Sequence, residues 1–265
     1  MPMLLKKKIR WSIIKLISKI LRQPLEIQQA KNKVWTFLLH KYNYKVAYGP
    51  FKGMHLNKDN WWSKNDMISQ TLGVYEKHIL EKIIYFSRQN SDTFIDVGAA
   101  DGYFVVGMTY AGIFKKSFAF EISSKGRKNI YENAVINKCS NKIIIKSEAN
   151  YLNLKKIIEN LYKPTILIDI EGLEYNFFQK DIIDLLKNSF VICELHPWLE
   201  IDGYIKQKKL LSDVSVFFDY ELITRETYNP NQFKELDDFG DDERLLAFSE
   251  KRGKNTNWLV LTPKK

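Results

Sequence analysis

The sequence predicts an α/β protein: a seven-stranded, mostly parallel sheet with an antiparallel last strand and helices on both faces. Three observations carry this. The stretch FIDVGAADGYF (94–104) runs an apolar strand through small residues straight into a helical pattern. From Thr93 onward, short β-branched and aromatic runs alternate with helical segments, the pattern of parallel strands joined by crossover helices. The last two runs are instead separated by a long polar segment. Its stretch ELDDFGDDE (235–243) contains six acids and suits a loop or hairpin better than a crossover helix.

Taken in order, residues 1–45 read as a basic, amphipathic helical extension and 46–265 as the main domain. In the arm, Ile9, Ile13, Leu16, Ile17 and Ile20 form one helical stripe, and Lys8, Ser12, Lys15, Lys19 and Arg22 another. Lysines interrupt the apolar stretch, so it is neither a membrane span nor a signal peptide. Residues 4–22 suit an anionic membrane surface, or equally a packed position on the domain or a partner subunit. Residues 1–33 hold nine basic side chains against the single acid Glu26, whereas the whole chain carries a net charge of +10. The domain itself is therefore nearly neutral and offers no basic stripe for nucleic acid. Cys139 and Cys193 lie far apart without a C-x-x-C pair, so reduced thiols and no zinc site are expected. The expected location is cytoplasmic, with the arm able to hold the protein at the inner face of a membrane.

Pro24 ends the first helix, and a second helical pattern runs through Leu39. Residues 46–57 have strand and turn character, a polar loop carries Trp61 and Trp62, and 66–89 read as one helix. Strands follow at 93–97, 117–121, 142–147, 164–169, 189–195, 216–223 and 257–262, with helices in most of the gaps.

The loop at 98–102 reads as a cofactor loop, because small residues between a strand and a helix let a ligand approach backbone N–H groups. A dinucleotide fingerprint requires glycine at the first, third and sixth positions, and here these are Gly98, Ala100 and Tyr103. A tyrosine at the sixth disfavours NAD. The alternating small residues Gly98, Ala100 and Gly102 fit S-adenosylmethionine instead. Glu121 ends an apolar strand further on, where a carboxylate can accept hydrogen bonds from both ribose hydroxyls of either cofactor. The cofactor set expected is Asp96, Gly98, Ala100, Asp101, Gly102, Tyr103, Glu121 and Ile122.

TFIDVGAADGYFVVG, AFEIS, ILIDIEGLEYNFF (166–178) and VICELHP (191–197) resemble the successive motifs of the FkbM-type methyltransferases. GPFKGM (49–54), LGVYEKH (72–78) and the closing NWLVLTPK resemble that family's flanking segments. The resemblance runs from about residue 46 to the end. Asp101 departs from it, since many members carry an uncharged residue there. It implies a Rossmann-like class I methyltransferase fold, S-adenosylmethionine as cofactor, and methyl transfer to a hydroxyl, often a sugar hydroxyl of a glycan or glycolipid.

Such an acceptor is barely acidic, so a positioned base helps. Asp169 and Glu171, two apart after one strand, and Glu194 and His196, two apart after another, are the candidates. His196 is the expected base because imidazole titrates near neutrality. Glu194 or Glu171 would orient it, and Asp169 would hold the methionine end of the cofactor or the acceptor. A divalent metal on Asp169, Glu194 and His196 is an alternative, but spacing fixes no ligand geometry and no metal ligand is assigned. Trp61-Trp62 could stack on a sugar, and Tyr75-Glu76 could border the cofactor. The rivals are a nucleic-acid or other small-molecule methyltransferase and a noncatalytic nucleotide-binding protein at a membrane. The amino-group nucleic-acid enzymes normally carry N/D-P-P-Y/F where this chain has DIEG, and Cys193 lacks the preceding proline of a cytosine-carbon nucleophile.

Overall fold

The structure, a computed structural model, describes residues 25–58, 62, 66–250 and 254–264. The basic arm 1–22 and Trp61 fall outside the described residues. Helix α1 (Leu25–Tyr42) starts immediately after Pro24. The single helix expected over 66–89 is two, α2 (Met67–Leu72) and α3 (Lys77–Ser87). Gly73 separates them at φ 73°, so close to the neighbouring loop that an added Cβ would lie 2.1 Å from the Tyr48 carbonyl oxygen. Only glycine fits there.

The remaining elements follow in order: β1 (Thr93–Val97), α4 (Tyr103–Tyr110), β2 (Lys116–Phe120), α5 (Ser124–Ile136), β3 (Ile143–Lys146), α6 (Tyr151–Ile158) and β4 (Thr165–Ile168). Then come α7 (Glu174–Phe177), α8 (Lys180–Leu186), β5 (Phe190–Leu195), α9 (Gly203–Val214), β6 (Phe218–Thr224), α10 (Asp241–Ala247) and β7 (Asn257–Pro263). The strand order is β3-β2-β1-β4-β5-β7-β6. β7 is antiparallel to both its neighbours and the other pairings are parallel. This is the Rossmann-like class I methyltransferase arrangement.

The acidic segment differs from expectation. Asp241, Asp242 and Glu243 form the first turn of α10, where acids complement the helix dipole, and Glu243 Oε2 accepts the Gly240 N–H at 3.0 Å. The helix does not cross the sheet; it packs on α1, where Val34 and Leu38 share a cluster with Leu236, Ala247 and Phe248.

The central strands β1, β4 and β5 are buried along their whole length, while the edge strand β6 is largely exposed beyond Phe218, and successive residues of the central strands serve opposite layers. Phe94, Ala119, Leu167, Ile192 and Trp258 face α3 and α4, meeting Ile79, Ile83, Phe86 and Val105. Ile95, Phe118, Ile166, Ile168, Val191 and Cys193 face the other layer, meeting Leu154, Ile182, Ile183 and Leu210. Between β1 and β4 the connections leave in opposite directions, which opens a crevice at their carboxyl ends. Among the described residues no helix is long and apolar enough to cross a membrane.

Candidate active site

That crevice is a cleft of about 460 Å³. Of the expected cofactor residues, Asp96, Gly98, Ala100, Asp101, Tyr103, Glu121 and Ile122 line it, while Gly102 does not. Protein contacts demand glycine at both loop positions. Gly98 has φ 88°, and an added Cβ would stand 1.8 Å from the Asp169 carbonyl oxygen. Gly102 has φ 84° and would meet Ile130 and Val106 at 3.2–3.3 Å. The first locks the end of β1 against the end of β4, and the second seats α4 on α5.

Glu121 closes the loop from β2. Its Oε2 accepts the Ala100 N–H at 3.0 Å and its Oε1 the Ser123 N–H at 2.7 Å, which leaves further lone pairs on both oxygens facing the cleft. Asp101 accepts the Trp62 N–H at 3.2 Å, and its own carbonyl receives the Asn133 amide at 2.6 Å. Trp62 is half exposed at the rim. Tyr75, Glu76, Asp66, Gln70 and Trp258 complete the opposite wall.

Two donors on this wall have no hydrogen-bond partner among the described residues: the Tyr103 hydroxyl and the Trp258 indole N–H, both buried. Tyr103 lies edge-on to Phe51 at 5.3 Å and to Tyr75 at 5.4 Å. Trp258 reaches the cleft because β7 runs antiparallel beside β5 and places it opposite Glu194.

Asp96, fully buried on β1, accepts a hydrogen bond from the backbone of Val105 and so satisfies an otherwise open donor in the first turn of α4. Burial, opposed by that bond and reinforced by the Glu121 charge, pushes its carboxyl up to about 7. The pKa is raised in the native state, so the associated stability is fully present below the unfolded value of 3.8 and is lost as pH rises through 7. Cofactor-free protein is therefore expected to lose up to about 4 kcal/mol between pH 4 and 8 from this group. Asp96→Asn keeps an acceptor for Val105 and should flatten the urea-unfolding profile across that range. An unchanged pH slope in the variant would remove Asp96 as its source.

The second cluster lies where β4 and β5 end. β4 stops at Ile168, short of the persistence needed for Asp169 and Glu171 to alternate as strand neighbours. The chain turns instead, with Glu171 at φ 52° and Gly172 at φ 98°, and both acids still line the cleft. His196 is 4% exposed and, like the buried Glu194, does not line the cleft. Its orienting partner is Glu174 rather than Glu194 or Glu171: Nδ1 lies 2.9 Å from Glu174 Oε1, which also accepts the Gly172 N–H at 2.9 Å. Nε2 points between Glu171 and Glu194, each 3.8 Å away. Burial alone would lower the imidazole pKa. The Glu174 hydrogen bond and the charges of Glu194, Glu174 and Glu171 outweigh it, and the net shift is upward. One oxygen each from Asp169 and Glu171 and one His196 nitrogen lie within 4.8 Å of one another.

Glu174, the first residue of α7, is not among the site residues expected from the sequence. That its side chain turns back across Gly172 toward His196 could not be read from spacing.

No family model matches the chain, and no curated protein matches it in sequence. Solved structures similar to it include the methyltransferase domain of a bacterial CtHen1-C, at 13% identity and TM-score 0.49, covering 74% of this chain and 98% of that one. The O-methyltransferase from Bacillus cereus in complex with SAH is 12% identical, with TM-score 0.47, covering 77% and 93%. A precorrin-6y C5,15-methyltransferase from Geobacter metallireducens is 13% identical, with TM-score 0.44, covering 71% and 88%. The fold rests on this chain's own strand order, not on likenesses of that depth.

Proposed function

We propose that the chain is an S-adenosylmethionine-dependent O-methyltransferase of the FkbM type, acting on a hydroxyl of a sugar in a glycan or glycolipid. The observation that carries this reading is the cleft between the ends of β1 and β4, walled on one side by Glu121 and the 98–101 backbone and on the other by Asp169 and Glu171. Glu121 suits the ribose hydroxyls, and the unpartnered Tyr103 and Trp258 donors suit polar atoms of a bound molecule. The cofactor brings an activated methyl group. The protein has only to align the acceptor oxygen in line with the sulfonium and to manage one proton. In this reading Asp169 and Glu171 touch the acceptor, with His196 behind them.

The basic arm would hold the enzyme at an anionic membrane surface, near glycolipid acceptors. The test of the function is transfer of a labelled methyl group from S-adenosylmethionine to a panel of free sugars, glycolipids, catechols and RNA. Base-stable label on a carbohydrate supports the reading. Label on RNA alone, or on none of the panel with the cofactor bound, overturns it.

A further inference from the structure

Four carboxylates, Asp169, Glu171, Glu174 and Glu194, converge on one imidazole at the end of β5, and two of them are almost completely buried. Glu174 and Glu194 are the buried pair, Asp169 is half-buried and Glu171 is exposed on the cleft side. The imidazole is fixed as metal-ligating histidines are: Nδ1 is tied to a carboxylate, which settles ring orientation and leaves Nε2 to point inward. His196 is 4% exposed, and Nε2 has no hydrogen bond among the described residues; the carboxylate oxygens it faces stand at 3.8 Å. That distance is too long for a hydrogen bond. Two ligands on one ion with bonds of about 2.0–2.2 Å stand about 3–3.6 Å apart, so a small inward turn of the exposed Glu171 side chain brings it to that separation. Glu171 is held at φ 52°, a conformation non-glycine residues rarely adopt and one that turns its carboxylate to the cleft side of the cluster.

We infer that Asp169, Glu171 and His196 bind a divalent transition-metal ion, with Glu174 as the positioning residue behind the histidine. Glu171 thus takes the place that spacing suggested for Glu194. One imidazole with two carboxylates suits Mn²⁺ or Zn²⁺ better than Mg²⁺, because imidazole favours the transition ions. The site's role rests on the methyltransferase reading. Two ligands belong to the cleft wall, so the ion faces the acceptor and can take its hydroxyl in place of a water. Bound there, the hydroxyl loses its proton to solvent water, its oxygen attacks the methyl carbon, the carbon–sulfur bond breaks, and the thioether leaves. His196 then serves as a ligand and not as the base.

The test uses the full chain, stripped with chelator and titrated calorimetrically with Mn²⁺ alone. The expected result is one Mn²⁺ per chain, with affinity lowered at least about tenfold by Glu171→Gln or His196→Ala and about 10–100-fold by Glu174→Gln. Glu171 is about half exposed, so its variant keeps the fold even if the buried substitutions do not. No saturable Mn²⁺ binding, or binding equal in wild type and Glu171→Gln, overturns the inference. The same stripped protein is titrated separately with S-adenosylmethionine. Cofactor binding without Mn²⁺ binding removes the ion and leaves the methyltransferase reading standing. Mn²⁺ binding without cofactor binding keeps the ion site and removes that reading.

Discussion

His196→Ala is expected to lower methyl transfer per bound cofactor by about 10²–10⁴-fold, the usual contribution of a positioned proton-handling or electrostatic group. The loss should appear in kcat, with cofactor affinity nearly unchanged, because His196 lies behind the acceptor side of the cleft and outside its cofactor wall. Glu174→Gln should cost less, since the imidazole remains and only its 2.9 Å anchor is weakened. Glu194→Gln should cost least of the three, because its contact with Nε2 is 3.8 Å. A purely structural role predicts another pattern. His196→Ala would then lower the melting temperature and spare turnover in the folded fraction, and the cluster would have no part in the reaction.

The second large effect belongs to Gly98. Gly98→Ala must adopt a left-handed φ and push its Cβ into the Asp169 carbonyl oxygen, 1.8 Å away, on a backbone that cannot move without disturbing β4. Strain and overpacking of about 1–3 kcal/mol each give a loss of about 2–6 kcal/mol, a large part of the roughly 5–15 kcal/mol that holds a typical domain folded. Gly102→Ala meets only the side chains of Ile130 and Val106, at 3.2–3.3 Å, and should lose less. Gly112→Ala, at φ 66° with nothing within 4 Å, should lose only the backbone term, about 1–2 kcal/mol. Urea unfolding of the three variants should rank them in that order. Equal losses would mean that φ alone matters and that the β1–β4 contact contributes nothing.

These predictions draw on different depths of legibility. The strands were readable because each is a short β-branched or aromatic run bounded by turn residues; the run ILID ends one residue beyond β4, and NWLVLT lies within β7. The break at Gly73 was not readable, because what demands glycine is the Tyr48 carbonyl, a contact across the chain. The loop glycines 98 and 102 were legible as small residues of a turn, but the Asp169, Ile130 and Val106 contacts that also demand glycine there come from across the chain. The cofactor loop, Glu121, Asp169 and Glu171 all reached the cleft because strand ends in a parallel sheet share one edge. Asp66, Gln70 and Trp258 did not announce themselves, since their places depend on how α2 and the antiparallel β7 are packed. The partner of His196 was missed for a related reason: after β4 the chain turns through two left-handed residues, and sequence spacing no longer maps onto direction.

The central claim, that the β1–β4 cleft holds S-adenosylmethionine, is tested most directly by calorimetric titration of the chain with S-adenosylmethionine, its demethylated product and NAD. The account predicts saturable binding of the first two at one per chain, weakened by about 1.5–3 kcal/mol in Glu121→Ala, and no heat from NAD. Saturable binding of NAD with none of S-adenosylmethionine, or binding of S-adenosylmethionine indifferent to Glu121→Ala, would contradict it.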